Sequence, residues 1–370
     1  MAESTGTRID VRVASDDEDL ARVARLRYRV YCEQLNLLRH LADHEQKTLR
    51  LPNDERSRIV LAERDGEAIG TVRIVPGAIA RSEADTVECF QLNRFDGLMD
   101  AARYVVADRF MVEPDQRAGN LAGDLMSAAS IEAFGLGATT GFACCEAHLV
   151  PLYRNFGFVP YTRLYNHPTS GILVPLVFVG DHDHLAEIGS PLAGFFTDEL
   201  RSPITIAQVR EAFGTHLGTA DVDASTVDAL DAFTTAADSR PRMLDGFTRE
   251  ELDLLTSRGA DMRFAPGDAL IRSGQTARTL YVLLEGACEV RRDGVPLAML
   301  AAGDVVGEMT FLLEDRRSGD VVAVSDVRAV AFQASALNAL IDERDPIAVR
   351  LLRNLARVVA DRLAMAGSDA

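Results

Sequence analysis

The fold of the C-terminal part of the chain is decided by one stretch, Val306-Gly307-Glu308-Met309-Thr310-Phe311-Leu312-Leu313-Glu314-Asp315-Arg316-Arg317-Ser318. It sets a glycine and a carboxylate in an apolar surround, and an arginine and a hydroxyl follow nine and ten residues after Glu308. A cyclic nucleotide needs these groups. The carboxylate accepts hydrogen bonds from a ribose hydroxyl, backbone N–H groups near the glycine approach a phosphate, and the arginine neutralises it.

The order and spacing resemble the phosphate-binding cassette of the cyclic-nucleotide-binding domain family. Thr248 and Glu251 form a capping-box pattern, and short alternating strands separated by Gly and Pro turn signals follow it. The resemblance covers residues 243–370 and implies a β-roll (a double-stranded jelly roll) with flanking helices. It also implies cyclic AMP or another cyclic nucleotide as effector, bound by Gly307, Glu308, Arg317 and Ser318. The alternative is a jelly-roll loop with a surface Glu and Arg and no ligand.

The cassette departs from the family at Gly319-Asp320, where small or hydroxyl residues are usual. Asp320 follows Ser318 at strand spacing, so its carboxylate either repels the phosphate, faces away from it or pairs with Arg316. After Pro346 an amphipathic helix is predicted, which either closes over the roll or pairs with a neighbour. No helix-turn-helix pattern follows it, so we expect no element that reads DNA.

The composition limits partners and location. A net charge of −17 on 370 residues argues against nucleic acid and anionic membrane as main partners. Five cysteines without CxxC spacing indicate reduced thiols in a cytosol. There is no signal-peptide pattern, and the longest apolar run, residues 172–179, is too short to span a bilayer. We therefore expect a cytoplasmic protein of at least two domains, and its oligomeric state stays open.

A strand, a small-residue turn and a helix mark the N-terminal half. Residues 104–112 are predicted as a strand, which leads through a turn at 116–122 into a helix that ends near Phe134. Unpaired N–H groups and the positive end of the helix dipole converge at such a turn, which predicts an anion site. A strand at 141–145 and a short helix that contains Tyr153 follow.

With Leu152-Tyr153-Arg154-Asn155-Phe156-Gly157-Phe158 downstream, this order resembles the GNAT acyltransferase superfamily. The resemblance implies a mixed central sheet and an acyl-CoA or acyl-carrier-protein thioester as co-substrate. Tyr153 would protonate the departing thiol. The turn has Asn120 where the family usually has Gly, and Asn tolerates unusual backbone angles better than most residues. The residues implied to bind the acyl thioester and its phosphopantetheine are Phe110, Met111, Val112, Arg117, Ala118, Gly119, Asn120, Leu121 and Ala122.

Two entry segments, 26–31 and 70–74, resemble acyl-homoserine-lactone synthases and N-acyl amino acid synthases, which move long acyl chains onto a small amine. The chain lacks Trp. The paired acidic pattern of the lactone synthases is reduced to Asp54-Glu55, and Val106 stands where their strand carboxylate is expected. These departures favour the amino acid synthase branch, with an acyl carrier protein as a possible partner.

Four residues are candidates for handling the acceptor amine. Glu146 or His148 takes a proton from the attacking ammonium, the alternative for His148 being helix capping or loop packing. Arg27 and Arg73 either clamp a substrate carboxylate or form salt bridges inside the fold. Residues 181–184, Asp-His-Asp-His, lack a further ligand cluster, so we predict a solvated loop and no metal site.

The fold class is therefore α+β. It comprises a GNAT-like acyltransferase domain at 1–185, an acidic helical connector at 186–242 and a cyclic-nucleotide-binding domain at 243–370. The leading hypothesis is a GNAT-type N-acyltransferase that acts on an amino acid-like amine under cyclic-nucleotide control. One alternative is a cyclic-nucleotide-regulated acetyltransferase acting on protein lysine. The other is a non-catalytic ligand-sensing adaptor, which Asn120 in the phosphate turn favours.

Overall fold

The computed structural model describes residues 9–35, 37–116, 120–146, 149–167, 170–196, 201–213, 224–234, 241–275, 277–313, 316–342 and 344–368. The chain divides into two compact units. The first comprises residues 1–145, 150–163 and 175–217, and the second comprises 146–149, 164–174 and 218–370.

The first unit is built on a mixed sheet. The strands up to the middle of the chain are β1 Asp10–Val13, β2 Arg58–Arg64, β3 Glu67–Pro76, β4 Tyr104–Val112, β5 Thr140–Cys145, β6 Phe158–Pro160, β7 Tyr165–His167 and β8 Gly171–Val179. The sheet has the order β1-β2-β3-β4-β5-β8-β6, with β7 paired to β8, and β7 and the first four residues of β8 belong to the second unit. β4 and β5 run parallel, and the neighbours of β3 are antiparallel to it. The predicted mixed central sheet is confirmed.

Helices cover both faces of this sheet. They are α1 Asp17–Arg27, α2 Gly77–Ala80, α3 Ala84–Phe90, α4 Leu121–Gly135, α5 Val150–Phe156, α6 His182–Glu187 and α7 Ile206–Phe213. Successive strand residues point to opposite faces. Val60 therefore packs in the core with α4, and Leu61 packs in the core with α1. The chain continues from α1 into a π-helix, Tyr28–Gln34, a conformation that is rare and often found at functional sites.

Two capping patterns compete at the start of α1. A capping box at Ser15 and Glu18 would begin the helix at residue 16, but the N-cap is Asp16, whose carboxylate accepts from the N–H of Asp19 at 2.8 Å. The Asp19 carboxylate in turn accepts from the N–H of Ser15 at 2.9 Å. Both pairs, Ser15 with Glu18 and Asp16 with Asp19, have the spacing of a helix cap. The second pair forms because Arg12 also binds the Asp19 carboxylate.

The second unit contains two four-stranded antiparallel sheets. Its further strands are β9 Gly259–Phe264, β10 Ala269–Ile271, β11 Thr279–Glu285, β12 Ala287–Arg292, β13 Val295–Ala301, β14 Val305–Val306, β15 Asp320–Ala323 and β16 Val327–Gln333. The orders are β10-β15-β12-β13 and β14-β11-β16-β9. The helices are α8 Ala224–Asp231, α9 Arg249–Thr256, α10 Glu308–Leu313, α11 Ala334–Asp342 and α12 Pro346–Ser368. The predicted roll with flanking helices is confirmed.

Local signals explain several of these boundaries. The predicted capping box of α9 is present, with the Thr248 hydroxyl and the Glu251 carboxylate bonded reciprocally to backbone N–H groups. Thr205 likewise caps α7. Ser225 lies inside α8. Within the described ranges, no helix has the length and hydropathy needed to cross a membrane.

Candidate functional site

A bulge interrupts strand β4 where it pairs with β3. Thr71 lies opposite Met111 and Arg73 lies opposite Asp108, so two β4 residues, Arg109 and Phe110, face one residue of β3. Arg109 has φ of +53°, a left-handed conformation that is uncommon for a residue with a side chain. A bulge turns backbone N–H groups out of the ladder, and strain of this kind clusters at functional sites.

An apolar cavity of about 50 Å³ lies beside this bulge. The cavity is lined by strands β3, β4 and β5, by α4 and by aromatic side chains. The lining residues used below are Phe110, Ala133, Phe134, Tyr153 and Phe178. It therefore suits a hydrocarbon group.

Tyr153 lies on α5 and lines the cavity. Its ring makes edge-to-face contacts with Phe110, at a centroid distance of 6.2 Å, and with Phe158, at 5.5 Å. Burial is the largest of the causes that raise the pKa of Tyr153 well above its usual value. The phenol is therefore protonated at neutral pH and is a potential proton donor beside the bulge.

Charged side chains form a cluster next to the bulge. Arg73 donates two hydrogen bonds to the Asp108 carboxylate, at 2.8 and 2.6 Å, and one to the Pro52 carbonyl at 2.7 Å. Burial would raise the pKa of Asp108, but the bonds from Arg73 and the charges of Arg73, Arg109 and Arg27 hold it below its usual value. Arg73 thus forms the internal ion pair that was the alternative to substrate binding.

Arg27 is differently placed. It is 1% exposed, and its Nη1 donates to Asp54 at 2.6 Å, but its Nε and Nη2 have no hydrogen-bond partner among the described residues. Leaving buried donors unpaired is costly, and a bound water, ion or ligand would satisfy them. Arg27 also lines a second pocket, together with Arg50, Arg56 and the carboxylates of Asp54 and Glu55. The combination can bind an anion such as a carboxylate.

The predicted phosphate turn is only partly described. Arg117, Ala118 and Gly119 lie outside the described residues, as does His148. Asn120 is the N-cap residue of α4, but its side chain donates to Asp124 at 3.1 Å and forms no capping bond. The side chain of Asn120 therefore leaves the N–H groups of the first turn available to an anion. Glu146 directly follows the end of β5.

Residues 181–184 form a helix start rather than the predicted loop. Asp181 is the N-cap of α6, and its carboxylate accepts from the N–H groups of Asp183 and His184. Among the residues that the structure describes, no group of three His, Cys, Asp or Glu side chains is placed to hold a metal ion.

In the second unit, the cassette arginine is buried without a carboxylate partner. Arg317 is 5% exposed and donates to the carbonyls of Gly307, at 3.0 Å, and Thr279, at 2.6 Å. It forms no ion pair with a described residue. Burial lowers the pKa of Arg317 to about 10, so the guanidinium is charged at neutral pH. Because the described hydrogen-bond partners of this buried cation are neutral carbonyls, binding of an anion beside it would be favourable.

Gly307 and Glu308 lie beside this arginine. Gly307 has φ of +97°, and a Cβ there would lie 2.6 Å from Arg317 Nη1, so only glycine fits. Glu308 is buried, and its Oε1 accepts from Arg362 of α12 at 2.7 Å. Arg362 also donates to the Val305 carbonyl at 2.8 Å. Ser318 is exposed. The structure thus brings together a carboxylate, a glycine turn and an unpaired buried cation.

The departure at Gly319-Asp320 has a structural explanation. A Cβ at Gly319 would lie 2.5 Å from the Arg291 carbonyl of the neighbouring strand, so this position needs a glycine. The Asp320 carboxylate accepts from the N–H of Ser273 at 2.8 Å, in the loop after β10. The same loop is bonded to the cassette, since the Gly274 N–H donates to the Arg317 carbonyl at 2.9 Å. Asp320 therefore organises the loop beside Arg317.

Replacing Asp320 tests this role. We expect Asp320→Ala to weaken cyclic-nucleotide binding, because the Ser273 N–H loses its acceptor and the loop loses about 0.5–1.5 kcal/mol of support. Asp320→Asn keeps an acceptor oxygen without the charge and should bind close to wild type. Calorimetric titration of both variants with cyclic AMP is the measurement. Tighter binding by both would mean that the carboxylate repels the phosphate instead.

Sequence reasoning missed Asp108 and Arg362. Val106 stands where the resemblance led us to expect a strand carboxylate. Asp108 lies two residues later, on the same face of β4 because side chains alternate along a strand, and it is bonded to Arg73. The sequence spacing of Arg73 and Asp108 does not predict their ion pair, because it is the β3–β4 register that places them opposite each other.

Two family models match the chain. Residues 22–178 match "N-acyl amino acid synthase FeeM", and residues 261–344 match "Cyclic nucleotide-binding domain". Among curated proteins, glutaminase 1 of Bradyrhizobium diazoefficiens is 34% identical over 143 residues, which are 38% of this chain and 23% of that protein. The CRP-like cAMP-activated global transcriptional regulator of Mycobacterium tuberculosis is 27% identical over 124 residues, or 32% and 55% of the two chains.

Among solved structures, the Thermus thermophilus catabolite activator protein is 31% identical, with 34% of this chain and 60% of that chain covered and a TM-score of 0.31. The chain spans under a quarter of the length of glutaminase 1 and about half of the length of the mycobacterial regulator.

Proposed function

The chain carries a FeeM-type N-acyl amino acid synthase domain at 22–178 and a cyclic nucleotide-binding domain at 261–344, and from this premise we propose a cyclic-nucleotide-regulated N-acyltransferase. It moves a long acyl group from an acyl-carrier-protein or CoA thioester to the amino group of an amino acid. One observation carries the proposal. The apolar cavity beside the β4 bulge contains both Phe110, at the bulge, and Tyr153, the buried phenol.

The donor side follows from this cavity. A long acyl chain would fill the apolar space under α4, which places its thioester carbonyl near the bulge. The pantetheine arm would lie along Phe110, Met111 and Val112, with its phosphate near the first turn of α4. Leu121 and Ala122 open that helix, whose N–H groups and positive dipole end favour an anion.

The acceptor side follows from Arg27. Its two N–H donors without a partner among the described residues lie in a cluster with Arg73, Arg109 and the carboxylates of Asp54 and Asp108. An amino acid carboxylate would satisfy these donors. In this proposal Arg73 orients the cluster through Asp108 and Asp54 rather than touching substrate.

The chemistry needs no covalent enzyme intermediate. The acceptor ammonium first loses a proton, for which Glu146 and His148 are the candidates. Its nitrogen then bonds to the thioester carbon, and backbone N–H groups of the bulge hold the negative oxygen. The C–S bond breaks, the carbonyl re-forms and the thiolate takes the proton of Tyr153. The nitrogen gives up its second proton, and a proton returned through solvent restores the Tyr153 phenol. The products are an amide and a free thiol.

Control is assigned to the second unit. The buried Arg317, which forms no ion pair with a described residue, binds the cyclic phosphate, while Glu308 accepts from the ribose hydroxyl and Ser318 adds a hydroxyl at the rim. Cyclic AMP is the proposed effector. Regulation means that occupancy of this site changes the acyl-transfer rate.

Donor length and acceptor type test the proposal together. We expect long acyl thioesters with free amino acids to be good substrates, and the matching amines without a carboxylate to be poor ones. Ala133→Phe on α4 should lower kcat/KM for long donors and leave acetyl donors unchanged. Displacing two to four methylenes from the cavity costs about 1.6–3.2 kcal/mol, or roughly 10- to 200-fold.

Ile131→Phe is the matched control, because Ile131 is an exposed residue of the same helix. It should leave the chain-length profile unchanged. A preference for acetyl-CoA and protein lysine would replace this function with that of a lysine acetyltransferase. A failure of every acyl thioester to raise the melting temperature would favour a non-catalytic adaptor.

A further inference from the structure

Gln333, the last residue of β16, is buried and uses its side-chain amide fully. Its Oε1 accepts from the Thr279 hydroxyl at 2.9 Å, and its Nε2 donates to the carbonyls of Ile172, at 2.6 Å, and Ser170, at 3.4 Å. A buried amide with every donor and an acceptor engaged fixes the groups around it. Here it fixes the start of β8 to the end of β16.

The packing around this contact is tight. Gly171 has φ of +76°, and a Cβ there would lie 2.5 Å from Gln333 Oε1 and 2.7 Å from Thr279 Oγ1. The next residue, Ile172, is buried in the core of the roll, in the same cluster as Tyr281. The start of β8 is therefore held by hydrogen bonds from the Gln333 side chain to its main-chain carbonyls, by close approach and by apolar burial.

Thr279 also contacts the cassette arginine. Its carbonyl accepts from Arg317 Nη2 at 2.6 Å, while its hydroxyl donates to Gln333. Thr279 therefore contacts both Arg317, the proposed phosphate-binding cation, and Gln333, whose amide is bonded to the start of β8. Along the chain, β8 begins in the second unit and ends in the first, where Phe178 lines the apolar cavity.

We propose that Gln333 transmits nucleotide binding to β8. A phosphate draws the Arg317 fork away from the Thr279 carbonyl, Thr279 shifts, and the Thr279–Gln333–Ile172 hydrogen bonds adjust the strand that carries Phe178. This inference rests on the proposed function and names the residue that couples its two parts. Gln333 is a positioning residue and contacts neither the nucleotide nor the acyl group.

Gln333→Leu tests the coupling, because leucine keeps the apolar bulk and removes the hydrogen bonds. In the wild type, cyclic AMP should change the affinity for a long acyl-CoA by about 5- to 150-fold, and acyl-CoA should change the affinity for cyclic AMP by the same factor. In Gln333→Leu both factors should fall to near one, while each ligand alone binds as in the wild type. Calorimetry of each ligand, with and without the other, measures this without turnover.

Asn354→Leu is the matched control. Asn354 is also a buried amide that donates to two carbonyls, those of Met243 and Asp245, away from β8. It should keep the wild-type coupling. Hydrogen exchange at 171–179 should respond to cyclic AMP in the wild type and in Asn354→Leu, but not in Gln333→Leu.

The outcomes separate the coupling from the function. Coupling that survives Gln333→Leu in a folded variant overturns the role of Gln333. So does a wild type that binds both ligands without any mutual effect. A wild type that fails to bind cyclic AMP, or to bind acyl-CoA, overturns the proposed function itself, and the coupling with it.

Discussion

Tyr153→Phe is expected to lower kcat by at least about 100-fold, the lower end of the usual range for losing a general acid, with little change in KM. Phenylalanine preserves the ring contacts with Phe110 and Phe158, so the cavity keeps its shape. Only the proton donor is removed, and the thiolate would then leave unprotonated. Steady-state kinetics with a long acyl thioester measure the effect.

The matched control is Tyr161→Phe. Tyr161 is also buried and has a raised pKa, but its hydroxyl donates to the Phe90 carbonyl at 2.6 Å and serves structure. This variant should melt at a lower temperature and keep its kcat. Because the pKa of Tyr153 is raised, its acid form persists to a higher pH than that of an ordinary tyrosine. Wild-type kcat should therefore show no fall from this group at neutral pH. An unchanged kcat in Tyr153→Phe would remove the residue from the chemistry.

Arg317→Ala should weaken cyclic AMP binding by roughly 10- to 150-fold, which corresponds to losing a charge-assisted contact of about 1.5–3 kcal/mol. The unbound protein carries the cost of burying this cation, whose hydrogen-bond partners among the described residues are the carbonyls of Gly307 and Thr279. A bound phosphate compensates that cost, so we expect the loss of cyclic AMP affinity to lie in the upper part of the 10- to 150-fold range. Calorimetric titration with cyclic AMP and cyclic GMP is the measurement.

Arg316→Ala is the control for Arg317. The two variants change the charge equally, but Arg316 is exposed and its Nη1 reaches the Gly274 carbonyl at 3.3 Å. Its removal should change the affinity only slightly. Comparable losses in both variants would indicate a general electrostatic attraction. Wild-type affinity in Arg317→Ala would show that the roll binds no cyclic phosphate through this cassette.

Much of the fold follows from local sequence. Turn glycines, the capping box at Thr248 and the alternation of apolar residues predict the roll, because each depends on neighbours a few residues away. The strand, turn and helix around residues 104–134 are predicted for the same reason. Where two local solutions compete, the prediction fails. Ser15 with Glu18 and Asp16 with Asp19 both fit a helix start, and the distant Arg12 selects the second.

The sequence by itself determined the fold class, the cassette from Gly307 to Ser318 and the position of Tyr153 in its motif. Only the tertiary structure decided which charges are paired. Arg73 is bonded to Asp108, whereas Arg27 keeps two unpaired donors, and Arg362 meets Glu308 from α12. Likewise, only the structure joins Gln333 to Ile172. These partners lie far apart in sequence, and strand register and helix packing bring them together, so no local spacing could show which arginine keeps donors without a partner among the described residues.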